Sequence, residues 1–175
     1  MTGHGDPQVL IAGIGNVFQR DDGFGVEVIA ALRDTELPNW VQLADYGISG
    51  MHLAYELLGG YDTTILIDAT PRGGKPGTVY LIEVEPGGTP ANTASLDAHG
   101  MQPDAVLGLL ELLGGDAGRV LVVGCEPADV GSGMGLTEPV AAAVPEAAAR
   151  VTDLAWGTTQ RASAAETTTA EPSEV

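Results

Sequence analysis

Apolar and polar positions along the chain alternate between two kinds of segment. Residues 9–15 (VLIAGIG) are a short apolar run ending in glycines, which predicts a buried strand feeding a tight turn. Residues 63–68 (TTILID) form a second such run, continuous enough for a central strand, and residues 120–124 (VLVVG) a third. Residues 40–45 (WVQLAD) and 78–84 (TVYLIEV) are more mixed and predict two further strands. Helical spacing marks residues 26–32 (VEVIAAL), residues 50–58 through Met51, Tyr55 and Leu58, and residues 103–113. A last, alanine-rich helix is expected over 138–156, with Pro139 in its first turn and Pro145 as a candidate kink.

Strands that alternate with helices imply an α/β fold: a single domain built on a mostly parallel five-stranded sheet, with one antiparallel strand and helices on both faces. The antiparallel member follows from a short connection. Residues 69–77 leave no room for a crossover helix, so the third and fourth strands are expected to be antiparallel neighbours. The expected division is a flexible stretch at 1–7, the folded domain at 8–156 and a disordered acidic tail at 157–175, where Thr, Ala, Ser and Glu recur without periodicity.

Composition narrows the function classes. The chain has 175 residues and a net charge of −17, so its surface repels phosphate backbones and nucleic acid is not an expected partner. No run approaches the roughly 18 apolar residues of a membrane helix, and the first residues lack a signal-peptide pattern, so a cytoplasmic protein without a membrane partner is expected, acting as a monomer. Cys125 is the only cysteine, which excludes an intramolecular disulfide and a thiolate metal cage; a buried, inert thiol is expected.

Candidate chemistry concentrates after the strands. The stretch Gly13-Ile14-Gly15-Asn16-Val17-Phe18 invites a dinucleotide reading, but its third glycine position is Phe18, and no phosphate-cradling lysine motif exists elsewhere. No Gly-x-Ser-x-Gly elbow occurs either. Asp21 and Asp22 stand just before a helix, where either could cap it; two adjacent acids exceed what one cap needs. Asp68 closes the third strand, at the rim where open α/β sheets bind ligands. His99 lies on a loop that can return to the same rim, whereas His4 is in the loose amino terminus and His52 sits on a predicted helix without a partner at i+3 or i+4. Asp22, Asp68 and His99 together would form an open oxygen and nitrogen ligand set, suited to zinc, nickel, cobalt or manganese with positions left for substrate.

At these residues the chain resembles the hydrogenase maturation endopeptidases. GIGNVFQRDDGFGVEVIAAL at residues 13–32 is similar to the family's opening signature, and Asp45-Tyr46-Gly47-Ile48-Ser49-Gly50 to its Asp-Gly-Gly-type turn. ILIDAT with Pro76-Gly77-Thr78, the loop His99, and VGCEP followed by Gly135-Leu136-Thr137 continue the pattern in the family's order, over about residues 8–156. Tyr46 stands where many members have glycine, and Gly100 where several have glutamine. The resemblance implies that Asp22, Asp68 and His99 are both the metal-touching and the catalytic residues. It implies an endopeptidase that removes the C-terminal extension of a [NiFe]-hydrogenase large-subunit precursor after nickel insertion. The nickel would come with the substrate, and no organic cofactor is expected. The rival from another class is a non-catalytic nickel-binding accessory protein that docks on the same precursor through the same three ligands.

Overall fold

All five expected strands form one sheet, in the order β2-β1-β3-β5-β4. A computed structural model of the chain describes residues 5–84 and 103–167. The strands are β1 (Val9–Ile14), β2 (Val41–Gly47), β3 (Thr63–Ala69), β4 (Val79–Val84) and β5 (Arg119–Cys125). The helices are α1 (Phe24–Arg33), α2 (Gly50–Leu57), α3 (Pro103–Leu112) and α4 (Glu138–Thr167), with a short 3₁₀ helix at Arg20–Gly23. Strands β2, β1, β3 and β5 run parallel, and β4 runs antiparallel to β5.

One expectation about the sheet is overturned. β4 is antiparallel, but β5 lies between it and β3. The reason is burial. β5 is buried along nearly its whole length and needs a strand on each side, whereas β4 is half-exposed and carries Glu83. An edge suits β4, because charge on an edge strand blocks further pairing. The connection from β3 therefore passes across the end of β5 instead of turning back on β3. Thr70 N–H donates to Cys125 O at 2.8 Å and Gly77 N–H to Glu126 O at 2.9 Å. The Glu126 carboxylate accepts the Arg72 and Gly73 N–H groups at 2.7 and 3.0 Å, and the Tyr80 hydroxyl at 3.1 Å.

The helices make two outer layers. α1 and α4 cover one face of the sheet; α2 and α3 cover the other. On α1 the buried residues Phe24, Val28, Ile29 and Leu32 recur at helical spacing and meet Val9, Ile11, Ile65 and Ile67 of the inner strands. Each such side chain contributes about 1.5–3 kcal/mol of transfer free energy, before the cost of ordering it. Gly25 brings the start of α1 down onto the sheet. A Cβ there would collide with the carbonyl oxygens of Ile67 and Ile14, so only glycine allows α1 to sit over the carboxyl ends of β1 and β3.

A second boundary also moves. α4 continues past Trp156 to Thr167, so residues 157–167 are helical where a disordered tail was expected. Gly157 interrupts the pattern, but Gln160, Arg161, Ala162, Ala164 and Ala165 are strong helix formers and favour continuation of the helix. The same helix passes through Pro145, held by Val140, Ala143, Ala147, Val151 and Ala155 on its buried stripe. Among the described residues no helix is both long and apolar enough to cross a membrane.

Candidate active site

β1 and β3 are neighbours, and their connections leave in opposite directions: β1 feeds α1 and then β2 on one side, and β3 leads to the β5–β4 side. The crevice beyond their carboxyl ends is the topological switch point, where doubly wound sheets bind ligands. Two short segments reach it. One is the loop and 3₁₀ helix after β1; the other is the end of β3, with Asp68.

The segment after β1 is bent sharply. Gly15 has φ +141, and a Cβ there would overlap the Asp22 carbonyl oxygen. Arg20, with φ +48, is the only described non-glycine residue with positive φ. That conformation costs a side-chain-bearing residue about 1 kcal/mol. It is held from outside: Arg20 N–H donates to Gly133 O at 2.9 Å, and Gly133 N–H donates to Phe18 O at 2.9 Å. The bend sends two consecutive acids in different directions.

Asp21 turns inward and is wholly buried. Its Oδ2 accepts the Ala128 and Asp129 N–H groups at 2.8 and 2.9 Å, and its Oδ1 accepts Thr137 N–H at 2.7 Å. The Thr137 hydroxyl donates at 2.8–3.0 Å. Burial alone pushes this carboxyl up, but the hydrogen bonds from Asp129, Thr137 and Ala128 outweigh it, and the group lies below the usual carboxylate range. Asp21 is thus the clasp that ties the turn after β1 to the β5–α4 connection. It explains why Thr137 ends a motif: its amide and its hydroxyl both reach the same carboxylate.

Asp22 turns the other way. Its Oδ2 accepts the Asn16 N–H at 2.9 Å, across the mouth of the turn. Neither acid caps a helix: no side chain caps the 3₁₀ helix or α1. Asp68 is only 9% exposed. Burial, then the charge of Asp22, holds its carboxyl well above the usual range, and the Ala69 backbone amide opposes this only in part. The two acids are therefore close enough to repel each other. A cation between them would relieve both the repulsion and the burial penalty, so the donor chemistry fits a metal ion.

Of the three residues singled out in sequence, Asp22 and Asp68 converge here. His99 lies outside the described residues. Among the described residues no three His, Cys, Asp or Glu side chains cluster tightly enough to hold a metal. Cys125 is buried at the end of β5, and burial, followed by the charge of Asp21, pushes its thiol up to about 11. A thiol held protonated is a poor nucleophile. The role of Asp21 was signalled in sequence only by the doubling of the acids, which does not say which of the two turns in.

The family model for hydrogenase maturation proteases matches residues 26–154, a span that contains Asp68 and begins just after Asp22. A hydrogenase expression/formation protein, HupD, of Rhizobium leguminosarum bv. viciae is 35% identical over 158 residues, covering 86% of this chain and 76% of that protein. The coenzyme F420 hydrogenase subunit delta of Methanothermobacter thermautotrophicus is 34% identical over 158 residues, covering 85% of this chain and 94% of its own. Among solved structures, the hydrogenase maturating endopeptidase HybD from E. coli superposes with a TM-score of 0.67 at 27% identity, covering 82% of this chain and 89% of that one. A hydrogenase 2 maturation peptidase from a Thaumarchaeota archaeon gives a TM-score of 0.64 at 28% identity, with 84% and 97% covered.

Proposed function

The chain belongs to the hydrogenase maturation protease family, and from that premise we propose that it is the endopeptidase that removes the C-terminal extension of a [NiFe]-hydrogenase large-subunit precursor once nickel has been inserted. The observation that carries the reading is the Asp22–Asp68 pair, one acid on the 3₁₀ helix after β1 and one at the end of β3, with the charge of Asp22 acting on the buried Asp68.

The chemistry follows from that imbalance. Asp68 is held protonated to a higher pH than an ordinary aspartate, so it ligates poorly until a positive charge arrives. Nickel carried by the precursor is that charge. Asp22 has one oxygen fixed by Asn16 N–H, and its other oxygen would be free to hold the same ion. His99 is the third donor in this proposal. A precursor without nickel leaves the Asp68 carboxylate opposed by burial and by the charge of Asp22, so recognition is coupled to metal loading. Once the precursor is seated, the two carboxylates would hold the scissile segment beside the ion and supply a base for the attacking water, and the ion would supply polarisation of the carbonyl.

The test is a mass measurement. Purified protein is incubated with its large-subunit precursor, with and without nickel. The nickel-loaded precursor should lose its C-terminal extension and the nickel-free precursor should not. Asp22→Asn and His99→Ala should leave the nickel-loaded form intact. Normal trimming by either variant would remove that residue from the site.

A further inference from the structure

We propose that Phe18, Val130 and Met134 form the surface on which the folded body of the precursor docks, a contact separate from the acid pair that meets its metal. This rests on the endopeptidase reading above. All three side chains are large, apolar and open to solvent: Phe18 is 64% exposed, Met134 71% and Val130 49%. They do not ride on loosely tethered backbone. The two loops that carry them are joined by a parallel bridge at Gln19 and Gly133, by the paired hydrogen bonds of Gly133 with Phe18 and Arg20, and by the Asp21 clasp beneath. Apolar side chains on a pre-ordered backbone lose little entropy on binding, which is what an interface anchor requires.

The patch is continuous with the crevice. Asn16 accepts the Phe18 N–H on its side-chain oxygen at 2.9 Å and donates its own N–H to Asp22 at 2.9 Å, so one residue sets both the anchor and the acid. Its charge identifies the occupant. Residues 16–20 and 127–137 hold one cation and one anion, Arg20 and Asp129, with Arg20 Nε 3.6 Å from Asp129 Oδ2. Asp21, Asp22, Glu126 and Glu138 flank those residues, so the patch shares the negative sign of a chain of net charge −17. A second copy of this chain would bring the same charge against itself, which opposes self-association. A heterologous partner that must already reach the neighbouring crevice is the precursor.

The test compares the wild-type chain, the double variant Phe18→Ser/Met134→Gln, and the control Leu112→Gln, altered at an apolar residue 87% exposed on α3. Affinity for the nickel-loaded precursor and the KM of its trimming are measured for each, with unfolding midpoints to establish that all three fold alike. The double variant should lose roughly tenfold or more in affinity, with a matching rise in KM, and the control should match wild type. Equal affinity of wild type and double variant overturns the proposal. So does sedimentation of the wild type as a dimer that the double variant dissociates, because the patch then belongs to a second copy. A wild-type chain that binds the precursor yet leaves it uncut overturns the endopeptidase reading instead.

Discussion

Asp21 and Asp22 are chemically identical and adjacent in the chain, yet the two sides of the turn that carries them are built on opposite terms. On the inner side, Asp21 is fully buried and surrounded by donors, and its carboxylate is stabilised. On the outer side, Asp22 faces Asp68, which is nearly as buried and is destabilised as an anion. One acid is spent on holding the fold together; Asp68 is held against ionisation by burial and by the charge of Asp22. The difference teaches that burial of a carboxylate marks neither a structural nor a functional role. The balance of donors and like charges around it does.

That contrast can be broken by substitution. The largest expected effect is on the outer side: Asp22→Asn lowers the rate of precursor trimming on the order of 10³-fold while leaving the unfolding midpoint near that of wild type. Rate by mass spectrometry and midpoint by denaturant titration check the two halves separately. On the inner side the pattern reverses. Asp21→Ala leaves three backbone N–H groups and a hydroxyl without their acceptor, and costs about 3 kcal/mol of stability.

The pH dependence of the inner clasp has a definite sign. Because the folded-state pKa of Asp21 is lowered, its contribution is fully present above the unfolded value near 4 and is lost as pH falls through the folded value. The gap between wild type and Asp21→Ala should therefore be full at neutral pH and close on acidification, as unfolding curves across pH will show.

Asp68→Asn should give a smaller effect of opposite sign. The folded-state pKa of Asp68 is raised, so its charged form opposes folding once pH rises through that value. The variant is expected to be more stable than wild type at high pH, on the order of 1 kcal/mol, with the gain disappearing below about pH 4, and to be inactive. A loss of stability at high pH would show that Asp68 has a compensating partner. The smallest effect is at Cys125: Cys125→Ala should leave the trimming rate unchanged, and the native thiol should resist maleimide labelling, since it is buried and protonated.

Much of this architecture was legible from periodicity. The inner strands announced themselves as unbroken apolar runs, because a strand covered on both faces has no polar side. The placement of helices on both faces followed from their alternation with strands. What failed was adjacency. A short β3–β4 connection looked like a hairpin, but the deciding quantity was the burial that β5 needed on both its edges, and a segment some forty residues further on supplied it. The end of α4 departs from the sequence pattern for the converse reason. An aperiodic sequence need not lack structure, because local helix propensity suffices to prolong a helix already nucleated by packing.

At the site, local chemistry named the players: a doubled acid after a glycine turn, and a lone acid at the end of an apolar strand. Each of those features is contained within a few residues and needs no knowledge of the rest of the chain. The assignment of roles did not. The donors that draw Asp21 inward lie 107, 108 and 116 residues away, and the acid that opposes Asp68 comes from another strand end. Hydrogen bonding and charge repulsion depend on distance in space, so only the folded sheet, by bringing those groups together, could separate the clasp from the candidate catalyst.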